Sequence, residues 1–221
     1  MEMITYESIK NNEAVRTYIK QADESLIALG YTEHSFAHVT MVAETAGMIL
    51  EKLGYDAHTV ELAKIAAFLH DIGNLVNRIE HSQSGAVMAF RILDKLGMDP
   101  GDIAVVVTAI GNHDEGTGTP VNAVSAALIL ADKSDVRRSR VRNHDIPSFD
   151  IHDRVNYSVE NAELVIDTDN MHATLQLEIN SDYGTIMDYF EIFMERMLFC
   201  KKAADSLKLK FRLVINGQRF G

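Results

Sequence analysis

The sequence predicts a mainly α protein: a helical core followed by a small C-terminal α+β appendage in the order strand-strand-helix-strand. Three observations carry that expectation. Apolar residues recur at helical spacing over about 10–135. Two segments beyond residue 160 alternate apolar and polar with period two. A last helical stretch, about 184–207, separates them from a third strand-like run at 211–215. The chain has 221 residues, 47% of them hydrophobic, which is enough for one large domain or a domain with an appendage. The expected division is a helical domain over 1–145 and an α+β unit over 146–221. The second unit would pack on the core or dimerise through the Met187, Met194 and Met197 face of its helix.

The elements are justified in order. A first helix over about 10–29 carries Val15, Tyr18, Ala22, Leu26 and Leu29, with Gly30 as its C-terminal cap. A second, about 34–53, places Val39, Val42, Ala46, Ile49 and Leu50 on one side. A third, about 59–71, is apolar nearly all round in its second half and is therefore central. A fourth spans about 83–96 and stops at Gly97. Asp99-Pro100 reads as N-cap and first residue of a fifth, about 100–112, and Thr119-Pro120 gives the same signal for a sixth, about 120–135. Residues 143–157 read as an irregular loop. Glu163–Asp167 and His172–Ile179, joined by the turn residues Asp167-Thr168-Asp169-Asn170, form a hairpin candidate. The long helix points Ile186, Phe190, Phe193, Met194, Met197 and Leu198 inward. Phe211–Ile215 is the last strand, closed by Asn216-Gly217.

Composition excludes several classes. A net charge of -11 argues against general nucleic-acid binding through a basic surface. The single cysteine, Cys200, leaves no disulfide within the chain and no cysteine-based zinc site. No signal-peptide pattern or membrane-length apolar run is present, so a cytoplasmic protein is expected.

The chemistry concentrates on His70-Asp71, at the end of the apolar run Ala66-Ala67-Phe68-Leu69. A carboxylate and an imidazole buried there cost several kcal/mol or more (~) unless compensated, and a divalent metal is the usual compensation. His38 shares the inward stripe of Val42 and Ile49, with His34 one turn earlier. His81 precedes the fourth helix, His113 ends the fifth, and Asp132 faces inward on the sixth. Four histidines and two aspartates from five successive segments thus converge on one core. Imidazole with carboxylate suits zinc, iron, manganese, nickel or cobalt better than calcium. His34 is open between ligand, support for a ligand, and helix cap. His58, His144, His152 and His172 read as exposed or hydrogen-bonded core histidines.

The ordered set His38, His70-Asp71, Asp132, with its contexts Leu69-His70-Asp71-Ile72-Gly73 and Leu130-Ala131-Asp132-Lys133, resembles the HD-domain metal-dependent phosphohydrolase superfamily over about 30–140. His81 and His113 are similar to the added ligands of its binuclear members. The resemblance implies that His38, His70, Asp71 and Asp132 hold one metal, that His81 and His113 hold a second, and that Asp71 bridges them. It implies one or two divalent transition metals, with a metal-bound hydroxide as nucleophile.

Other residues carry weaker expectations. Lys133 steadies a phosphate or is a solvated helix-end lysine. Arg137, Arg138 and Arg140 guide an anionic substrate or form a solvated basic surface. Asp114 and Glu115 serve as general acid, as support for the histidines, or as an ordinary charged loop. The leading reading is a hydrolase of a nucleotide or other small phosphate ester. A di-iron oxygenase of the HD type uses the same ligands, and a non-catalytic, metal-stabilised ligand-binding protein is the third reading.

Overall fold

The computed structural model describes residues 4–143, 149 and 151–220. The helical part comprises α1 (Tyr6–Lys10), α2 (Glu13–Ala28), α3 (Phe36–Lys52), α4 (Ala57–Leu69), α5 (His81–Leu96), α6 (Pro100–Gly111) and α7 (Ala123–Ser134). A 3-10 turn, Ile72–Leu75, joins α4 to α5. There follow α8 (Ile151–Ser158), β1 (Val159–Asp167), β2 (His172–Ile179), α9 (Ile186–Ser206), β3 (Lys210–Ile215) and β4 (Gln218–Phe220). The expected mainly α architecture with a small C-terminal sheet is the one observed.

Helix α4 sits at the centre because eight of its thirteen residues, Val60, Leu62, Ala63 and Ile65–Leu69, are buried. It packs on α3, α6 and α7. Full burial of side chains such as Ile65, Phe68 and Leu69 contributes about 1.5–3 kcal/mol each. Asp56 starts the helix by accepting from the Thr59 N–H at 2.9 Å. Its axis ends at His70, so the apolar burial of α4 drives that imidazole into the interior.

The sheet runs β1-β2-β3-β4. β1 and β2 form the expected antiparallel hairpin, β2 and β3 are parallel, and β3 and β4 are antiparallel. The parallel pair requires a crossover, and α9 is that crossover. It packs against α7 as well as β3, and one continuous apolar core runs from Tyr6 to Ile215.

Several boundaries differ from the sequence expectation. The segment 143–157 is not all loop: its end is α8, held against α9 with Val155 and Ser158 buried. Pro120 does not start a helix. Asn122 caps α7 instead, through a capping box with Ser125. α1 and β4 were not expected. His34 precedes the Ser35 cap of α3, so it is not on the helix, whereas His81 is the first residue of α5. Met194 and Leu198 are exposed, and the inward side of α9 uses Tyr189, Phe199, Cys200, Ala203 and Ala204 beside Phe193 and Met197. The boundary at 145/146 and His144 lie outside the described residues. Among the described residues, no helix is long and apolar enough to cross a membrane.

Candidate metal centre

The structure brings together the six residues His38, His70, Asp71, His81, His113 and Asp132, and all are buried. Asp71 lies between two groups and uses a different oxygen for each. Its Oδ2 is 3.2 Å from His70 Nε2 and 3.6 Å from His38 Nε2. Its Oδ1 is 3.5 Å from His81 Nε2 and 4.0 Å from His113 Nε2. Asp132 Oδ1 closes the first group, 3.4 Å from His38 Nε2 and 3.7 Å from His70 Nε2.

Local structure aims each ring. His70 Nδ1 donates to Ala67 O at 2.6 Å, His113 Nδ1 to Ile110 O at 2.6 Å and His81 Nδ1 to Arg78 O at 3.0 Å. His38 Nδ1 meets Asp135 Oδ2 at 2.7 Å. These bonds place a proton on Nδ1 and turn Nε2 of all four rings inward. Asn74 Nδ2 donates to both Asp71 O and Asp71 Oδ1 at 2.9 Å, which fixes the carboxylate. Gly73 lets the 3-10 turn touch α5: a Cβ there would fall 1.9 Å from His81 O and 2.5 Å from Gly85 N. That contact sets His81 beside Asp71.

The donor set fits a metal. His81 Nε2 and His113 Nε2 face one another at 3.1 Å, two lone pairs that repel unless a cation stands between them. His38 Nε2, His70 Nε2 and Asp71 Oδ2 are buried without a hydrogen-bond partner. Among the described residues, three overlapping groups satisfy metal-ligand proximity: His38-His70-Asp71, His70-His113-Asp132 and Asp71-His81-His113. Electrostatics act on the donors unequally: burial opposes charge on His70, yet Asp71 beside it raises His70 above the usual imidazole range. Burial and the neighbouring His70 hold His113 well below the usual imidazole range, and burial also lowers His81. Burial opposes the charge on Asp71 and Asp132, yet His70 beside the first and Lys133 beside the second hold both well below the ordinary carboxylate range. Lowered imidazoles at His81 and His113 beside ionised Asp71 and Asp132 suit a transition metal at neutral pH.

The weaker candidates divide. Lys133 is not solvated: it is buried, 2.8 Å from Asp132 Oδ2 and 3.5 Å from Glu115 Oε1. Glu115 also accepts from Arg196 Nε at 2.9 Å. Asp114 lies close enough to His81 to favour its charged form. His34 is buried with Nδ1 2.7 Å from Thr32 O, but it belongs to none of the three ligand groups. It lines a cleft of about 390 Å³ beside the cluster, together with Arg78, Arg140, Arg196 and His152. Of the arginine run, only Arg140 reaches this cleft. Arg137 is engaged by Asp135, and Arg138 lies over Tyr157 and bonds to its carbonyl. His58 is exposed and pairs with Asp102, and His172 is on β2.

Asp135, Asn74, Arg78 and Arg196 are the functional candidates that sequence reading missed. Asp135 had a usable signal, since it stands three residues after Asp132. Arg196 had none, because only the fold brings α9 to the cleft.

Residues 35–174 match the family model described as the HD domain. An uncharacterized protein of Methanocaldococcus jannaschii is 29% identical over 186 residues, covering 72% of this chain and 70% of that protein. Ribonuclease Y of Enterococcus faecalis is 30% identical over 122 residues, covering 54% of this chain and only 21% of the enzyme. A crystal structure of a predicted HD superfamily hydrolase from an uncultured Thermotogales bacterium aligns with a TM-score of 0.44 at 25% identity, over 59% of this chain and 73% of that one.

Proposed function

This chain belongs to the HD domain family, and from that premise we propose that it is a metal-dependent hydrolase of a nucleotide or another small phosphate ester. The observation that carries the reading is Asp71, whose two oxygens each face a separate set of bare imidazole nitrogens in a cluster that adjoins an arginine-lined cleft. His38, His70, Asp71 and Asp132 would hold one divalent ion, and Asp71, His81 and His113 the other. When bound, such ions supply Lewis acidity toward a phosphoryl oxygen and an activated water at neutral pH.

The chain's own residues supply the rest. Asp71 ties the two halves at a fixed spacing, with Asn74 locking its orientation. Lys133 offsets the charge of Asp132 and is itself held by Glu115. The cleft offers guanidinium donors suited to phosphate oxygens. The likeness to proteins named ribonuclease Y supports phosphate-ester hydrolysis as the reaction class, while the net charge of -11 favours a small substrate over an extended strand.

The test is a panel of nucleotides and generic phosphate esters offered to protein loaded with iron, manganese, nickel, zinc or cobalt. The expected result is turnover with at least one metal in the absence of oxygen, and none with Asp71→Ala. Oxygen uptake by the iron form without phosphate release would replace this reading with the oxygenase.

A further inference from the structure

We propose that the substrate carries a second, linked phosphate, read by a subsite of Arg78, Arg140 and Arg196 that the C-terminal helix α9 completes. This rests on the hydrolase reading for the first phosphate but stands on separate residues. The three guanidinium groups line one cleft of about 390 Å³, a size suited to a small molecule. Each is steadied through part of its fork and keeps donors to spare. Arg196 Nε donates to Glu115 at 2.9 Å, and its two Nη groups have no acceptor among the described residues. Arg140 donates through Nε to Glu33 O at 3.0 Å and through Nη1 to Asp135 O at 2.7 Å, which leaves Nη2. Arg78 reaches Asn74 Oδ1 only at 3.3 Å.

The arc touches the ligand cluster at one end. Arg78 Nη1 lies 3.4 Å from His81 Nε2 and 4.0 Å from Asp71 Oδ1. A phosphate chain starting at the Asp71-His81-His113 group would therefore meet Arg78 first and then the remaining arginines. One carboxylate, Asp153, shares the cleft and is bonded to Asn143 at 3.2 Å. Arg196 and Arg140 are each partly offset by a carboxylate outside the cleft lining, Glu115 and Asp135, so the cleft offers unfilled N–H donors more than a large net charge. A di- or triphosphate that enters the cleft from the cluster can use these spare donors, which a single phosphate held at the cluster leaves unfilled beyond Arg78. Arg196 lies outside the residues 35–174 that match the family model, whereas Arg78 and Arg140 lie inside them, so α9 adds one wall to a cleft that the matched region begins.

The probes are orthophosphate, pyrophosphate and tripolyphosphate, titrated calorimetrically into chelator-treated full-length protein. Tripolyphosphate should bind at least ~10-fold more tightly than orthophosphate, a difference that Arg196→Gln and Arg78→Gln each abolish. Arg196→Lys should keep part of it, and the exposed Arg91→Gln should keep all of it. Melting curves identify any variant that does not fold, in which case Arg78→Gln decides. Equal affinity for the three probes overturns the proposal, as does a folded Arg196→Gln with unchanged preference. A single-stranded oligoribonucleotide that displaces tripolyphosphate at lower concentration overturns it in favour of a nucleic-acid ligand. Because binding is read without metal, absence of the preference in unmodified protein that hydrolyses monophosphate esters refutes the subsite alone. Preference without any turnover refutes only the hydrolase.

Discussion

The two halves of the His/Asp cluster are built by different means. The half formed by His38, His70 and Asp132 is backed by charge: Asp135 holds the His38 ring, Arg137 and Arg140 hold Asp135, and Lys133 holds Asp132. The half formed by His81 and His113 is backed by backbone carbonyls alone, those of Arg78 and Ile110. The first half sets carboxylate oxygens of both Asp71 and Asp132 against two imidazoles. The second has one oxygen of Asp71, with the Arg78 cation 4.0 Å away. A dication is better neutralised in the first half. An ion in the second would depend on Asp71 and on whatever anion occupies the cleft, so we expect the second to be the weaker and more exchangeable site.

The largest test of this contrast is the shared residue. Asp71→Ala should empty both halves, taking metal content from about two ions per chain to none and lowering phosphohydrolase activity by roughly 10²–10³-fold or more. Elemental analysis that found one full ion in this variant would break the bridge assignment. Next, His113→Ala should remove only the second ion, leaving about one per chain. Loss of both would mean that the halves are not separable. Asp135→Ala should be milder. It leaves every ligand in place but frees the His38 ring, weakening the first half by about 10–100-fold in a chelator competition while the second half keeps its affinity. The smallest effect is expected from Gly85→Ala, whose Cβ would stand 3.1 Å from His70 O and 3.2 Å from Gly73 N. α5 must yield slightly, so thermal unfolding should report a loss of about 1–3 kcal/mol. Metal titration of that variant should show the His81 half affected before the His38 half.

The same contrast explains what could be read in the chain beforehand. The central helices were legible because apolar periodicity is local, and Asp99-Pro100 states a helix start without help from the fold. His70-Asp71 was legible because a charged pair in an apolar run is costly on its face. The supports were not. Asp135 meets His38 from ninety-seven residues away, and Arg196 meets Glu115 from eighty-one. α8 was missed because its sequence is largely polar and its helix depends on packing against α9. α1 spans five residues and leans on the Thr5-Ser8 capping box, too short a stretch for periodicity to register. β4 is three residues long and exists through its pairing with β3. Thr119-Pro120 was misleading because the stronger reciprocal cap lies three residues on, at Asn122 and Ser125.

The place of α9 as a crossover between parallel strands has a consequence for the order in which this protein is made. The six clustered His and Asp residues have all left the ribosome once residue 132 has emerged, whereas Arg196 comes later, in the helix that crosses from β2 to β3. On the proposed reading, the residues that would hold the ions are synthesised before the wall that Arg196 adds to the cleft, so metal binding and substrate selection rest on stretches of chain that appear at different times.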